Sequence, residues 1–129
     1  MTSGHYFPIA GCAGCNHSDA VDYDKQWFIV DDSGRLVTPA QFPALADITP
    51  SISFGYLAIK APGMLRMDIP LDVIEDDDSV RRTAHVGAQE VDAVDEGDLA
   101  AVWLTNYLNA PCRLMKVHPD ADAVDWPLE

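Results

Sequence analysis

Four side chains near the N-terminus have the types and spacing that chemistry most often uses. Cys12 and Cys15 form a Cys-Ala-Gly-Cys run, with His5 before it and His17 after it. A Cys-x-x-Cys pair opening a helix is a redox centre, because the positive helix end favours the thiolate. With two imidazoles added, the same four groups are donor types that suit tetrahedral zinc. Residues 16–19, Asn-His-Ser-Asp, lead into no apolar repeat of helical period, so no helix is predicted to supply that dipole. The chain has neither a second Cys-x-x-Cys nor a His-x-x-x-His to complete a metal set. A thiol or metal site at Cys12, Cys15 and His17 therefore competes with a plainer reading, two reduced thiols in a turn.

Other reactive types are scattered. His85 lies between Ala84 and Val86 on a predicted strand and reads as structural or exposed; His118 precedes Pro119 at the start of an acidic tail. The acidic run at 75–78 lacks the spacing and the glycine of a calcium loop, so it reads as a solvated turn. No Gly-x-Ser-x-Gly or phosphate-loop pattern occurs. Trp27, Trp103 and Phe54 are assigned to packing, because large aromatic surfaces are most often buried.

Charge narrows the function classes. Eight Lys and Arg oppose 21 Asp and Glu, a formal net charge of -13. A nucleic-acid binder must neutralise phosphates, and an anionic membrane repels such a surface, so neither partner is expected. No apolar run approaches the roughly 18 residues of a membrane span. The opening Met-Thr-Ser-Gly-His carries no basic, apolar leader, which makes a cytoplasmic location the expectation. An odd set of three cysteines, with Cys112 the third, argues for free thiols. With 129 residues and 48% hydrophobic content, the chain fits one domain. We place its ordered core at about residues 5–118 and an acidic tail at 119–129.

The elements that would position these groups are mostly strands. Residues 5–9 read as a short strand, and residues 26–30 as the strongest, aromatic and β-branched. Asp31-Asp32-Ser33-Gly34 closes that strand into a hairpin whose second arm begins at Arg35. A brief strand near Ala20-Val21 precedes this hairpin, and a single helical turn within 39–46 follows it, then a short pairing at 47–49. A second hairpin joins 54–60 to 64–69 through Ala61-Pro62-Gly63, with Leu65, Met67 and Ile69 on one face. Strands at 80–86 and 88–94 meet near Gly87. Asp95 offers an N-cap for a helix over 99–108, whose apolar face is Leu99, Val102, Trp103, Leu104, Tyr107 and Leu108. Asn109 and Pro111 end it, and 112–117 form a last strand. The class is mainly β (α+β): an antiparallel β-barrel or rolled sheet with one amphipathic helix near the C-terminus.

The order of motifs resembles the MOSC N-terminal β-barrel domain family. Phe7-Pro8-Ile9 with Cys12-Ala13-Gly14 is similar to that family's Tyr-Pro-Ile-Lys-Ser-Cys-x-Gly opening, and Asp24-Lys25-x-Trp27 to its Asp-Arg-x-Trp strand. Gly34-Arg35-Leu36-Val37-Thr38 resembles its Gly-Arg-Phe-Leu-Thr hairpin. Ala61-Pro62-Gly63 resembles its turn, and residues 95–98, 103–104 and 111–114 its closing helix and strand. The matches keep their order over residues 6–117.

The resemblance implies a barrel that usually precedes a catalytic domain, as in molybdenum-cofactor sulfurases and amidoxime-reducing molybdenum enzymes. The catalytic cysteine belongs to that second domain, and Cys112 matches none of it. The barrel's Lys-Ser and Arg can contact the pterin phosphate of the molybdenum cofactor. Here Ala10-Gly11 and Lys25 stand in their places, and Pro39-Ala40 where Gln-Arg is common. Lys25 keeps a charge without the bidentate fork that suits phosphate. The implied reading is a non-catalytic module that serves a protein partner, such as a separate MOSC-type catalytic domain. The alternatives are a domain binding a molybdopterin-like ligand near Lys25 and, third, an enzyme using the Cys12 and Cys15 thiols.

Overall fold

The computed structural model describes residues 7–10, 12, 26–38, 41–53, 55–70, 81–86 and 89–118. Strand β1 (Trp27–Asp31) is the aromatic and β-branched segment, and four of its five residues, Trp27, Phe28, Ile29 and Val30, are buried. Two edges of hydrogen-bonding groups and two apolar faces oblige such a strand to sit between two layers. The three-stranded sheet β2 (Thr49–Ser53), β3 (Tyr56–Lys60) and β4 (Met67–Pro70) is antiparallel, in the order β2-β3-β4. The second sheet takes β5 (Arg81–Val86), β6 (Gln89–Asp95) and β7 (Cys112–Val117), in the order β1-β7-β6-β5. A 3₁₀ helix (Pro43–Asp47) precedes β2, and α1 (Asp98–Leu108) connects β6 to β7.

The four-stranded sheet curls until its two edges are linked by one short segment. Leu36 bridges antiparallel to Val30 of β1, while Arg35 bridges parallel to His85 of β5. The His85 amide donates to the Gly34 carbonyl and the Leu36 amide to the His85 carbonyl, both at 2.8 Å. Val37 donates to Ile29 at 3.0 Å. The expected hairpin at Asp31–Gly34 thus turns as read, but its second arm forms bridges to two strands in place of a paired strand. Closing an edge in this way removes the exposed ladder groups that invite association.

Burial divides between two clusters. Phe28, Val30, Leu36, Ala84, Val86, Val91, Ala93 and Met115, with Ala10, fill the inside of the curled sheet. Trp27, Ile29, Cys112 and Leu114, on its outer face, join the apolar face of β2-β3-β4 and the helix residues Ala100, Leu104 and Leu108. Alternate residues of β1 point into each cluster, as the two-residue period of a strand requires.

Several expectations are corrected. The predicted first strand is, among the described residues, one parallel bridge between Ile9 and Trp27. The pairing at 47–49 is in fact β2, which begins at Thr49 and runs through Pro50. That position is tolerable because β2 is an edge strand. Leu65 does not share the buried face of Met67 and Ile69; it is exposed. In α1 the apolar face rotates: Ala100, Ala101, Leu104 and Leu108 are buried, whereas Leu99 and Val102 face outward. The N-cap is Gly97, at φ 108°, and Asp95 acts one step earlier, its Oδ1 accepting from the Gly97 amide at 2.9 Å. Asn109 does end the helix in the left-handed conformation, at φ 59°. His118 is buried, not part of a loose tail; its amide donates to the Asp92 carbonyl at 3.0 Å. The expected strand at Ala20-Val21, the acidic turn at 75–78 and Phe54 lie outside the described residues.

Gly34 adopts φ +82°, and a Cβ added there would meet only the Thr83 carbonyl oxygen at 3.8 Å, an ordinary contact. Gly34→Ala should therefore destabilise through backbone strain alone, by about 1–2 kcal/mol, read as a lower urea midpoint. Amide exchange should accelerate first at Leu36 and His85, the two amides of the closing seam. An unchanged midpoint would show that the positive φ at Gly34 imposes no strain on a side chain.

Candidate functional site

An open groove lies between α1 and the β3–β4 connection. The Ala61-Pro62-Gly63 turn forms as its residue types dictate: Met64 donates to the Ala61 carbonyl at 3.1 Å, with Gly63 at φ 78°. The loop then runs alongside the helix, where the Trp103 indole N–H donates to the Leu65 carbonyl at 2.8 Å. That bond holds loop and helix apart at a fixed spacing. The resulting groove, about 510 Å³, is lined by residues 63–68 and by Leu99, Val102, Trp103 and Asn106. These four helix positions fall at i, i+3, i+4 and i+7, one stripe of an α-helix. Leu65, Leu99 and Val102 are 86%, 79% and 55% exposed. Large aliphatic side chains clustered in this way on a surface mark a contact site more often than scattered ones do. Below the stripe, Tyr107 packs on Trp103 and donates its hydroxyl to the Ala44 carbonyl at 3.0 Å. Burial, and after it the charge of Asp47, pushes the Tyr107 phenol up. Arg66 closes one rim, paired with Asp68 at 3.1 Å.

Sequence reading places Leu99 and Val102 in the core and so misses this groove. A signal was present: residues 99–104 are six consecutive apolar side chains, too many for the face that one packed helix can bury.

The second place to consider is the end of β1 where the opening motif enters. Ala10 is 1% exposed and belongs to the inner cluster. Its amide donates to the Trp27 carbonyl at 2.8 Å, and the Cys12 amide to the Ile9 carbonyl at 3.1 Å. Neither amide is left to cradle an anion, and Ala10 offers no cation, so the described part of this loop does not fit a phosphate grip. Lys25 and Gly11 lie outside the described residues. Nearby, Lys116 is buried with its Nζ 5.6 Å from the centroid of the Trp27 ring, and the Trp27 indole N–H donates to Glu96 at 2.6 Å. This is a packed polar arrangement around a core tryptophan.

The two described thiols, Cys12 and Cys112, are buried away from the surface. Cys12 sits in the outer core, and burial pushes its thiol well up. Cys112 is likewise buried and raised, by desolvation first and then by Asp31 and Asp32. A nucleophilic thiolate needs the opposite shift. Cys15, His17 and His5 lie outside the described residues, and among the described ones no group of three His, Cys, Asp or Glu could hold a metal. Because burial disfavours both thiolates in the fold while the unfolded chain ionises above roughly pH 8.5, the unfolded state binds fewer protons there. Stability should be level below that pH and fall above it, by up to about 1.4 kcal/mol per pH unit per thiol. Replacing Cys12 with Ser or Ala should flatten the alkaline limb of a urea-midpoint series; a limb of unchanged slope would contradict the burial.

Comparison with known proteins agrees with the architecture. A solution structure of a protein from Bordetella bronchiseptica is 51% identical and superimposes with a TM-score of 0.83 over 98% of both chains. The human molybdenum cofactor sulfurase is 28% identical over 90% of this chain, and mitochondrial amidoxime-reducing component 1 of Danio rerio is 29% identical over 75%. The chain spans 14% and 30% of those two relatives. No helix among the described residues is long and apolar enough to cross a membrane. The model of the MOSC N-terminal beta barrel domain matches residues 2–111, so this chain, with its curled sheet and closing segment, belongs to the MOSC N-terminal β-barrel family.

Proposed function

We propose that this barrel is a non-catalytic recognition module, acting on a partner protein in molybdenum-cofactor-related metabolism. One observation carries the reading: a preformed apolar groove on a domain whose described thiols are buried and protonated. The Trp103–Leu65 bond fixes the groove before any partner arrives, which lowers the ordering cost of binding. A MOSC-type catalytic domain is the partner that the family membership suggests, since its relatives carry such a barrel as a minor part of a longer chain. The rival reading is a molybdopterin-like ligand held near Lys25. Against it stand Ala10, buried where a lysine would grip, and the amides of Ala10 and Cys12, which are already bonded.

Two measurements separate the readings. Sedimentation of the barrel with a separately produced MOSC-type catalytic domain should show a complex, weakened at least tenfold (about 1.4 kcal/mol) by Val102→Asp. Calorimetry with a pterin phosphate should give no saturable heat. A heat that Lys25→Ala abolishes, with no complex formed, would transfer the function to the rival.

A further inference from the structure

We draw no further inference here: the strongest candidate, the apolar groove between α1 and the β3–β4 loop, carries none, because Asp68 on its wall and Asp98 beside it are already ion-paired with Arg66 and Arg113 and nothing in the structure shows what covers it.

Discussion

Double-sided burial of β1 is the constraint on which the rest of this domain depends. Trp27 and Ile29 need an apolar layer outside the curled sheet, and Phe28 and Val30 need one inside it. The inner requirement is met by curling: β5, β6 and β7 bring small side chains, Ala84, Ala93 and the flanking valines, around the Phe28 ring. The outer requirement is met by the second sheet and by α1, whose Ala100, Leu104 and Leu108 pack on the same cluster. Burying each such side chain stabilises by roughly 1.5–3 kcal/mol. The polar atom of Trp27 would forfeit part of that gain if left unbonded; its bond to Glu96 prevents this.

That bond also ties the core to the segment that launches α1. Glu96 reaches the indole while its own amide donates to the Leu114 carbonyl. Its neighbours are held from the other side: Asp95 accepts from the Gly97 amide and pairs with Arg113, which in turn reaches Asp98. Four consecutive residues therefore fix the direction of the helix relative to β7. Because α1 forms one wall of the groove, the geometry of the groove is set from within the core. Hydrogen bonding to both carboxylates pushes the Arg113 guanidinium further up, so this anchor holds its charge at any working pH.

Much of the scaffold was legible in local chemistry. Residues 26–30, the Pro62-Gly63 turn, the two strands meeting near Gly87 and the left-handed Asn109 each follow from what those residue types can do with their own neighbours. Other features were not local. Leu36 had the look of a hairpin arm, yet its amide goes to His85, nearly fifty residues further on, since the sheet curls and brings that edge within reach. His118, read as tail, is buried beside Asp92 because its amide bonds the Asp92 carbonyl one step past the Ala93–Val117 pair of β6 and β7. Leu99 and Val102 look identical to Leu104 in a hydropathy pattern; which side of the apolar helix goes inward depends on where β7 lies beneath it.

The sequence by itself determined the family, the mainly β class, the order of the elements and the acidic charge, since ordered motifs, alternation, turn formers and composition need no partner in space. Tertiary structure decided what those elements do together. It placed Cys12 in the core, where desolvation keeps the thiol protonated. It sealed the amides of Ala10 and Cys12 against the backbone. It turned Leu99, Val102 and Leu65 outward around a fixed groove. The physical reason is the same in each case: burial and orientation are properties of a packed neighbourhood, and that neighbourhood is assembled from residues far apart in the chain.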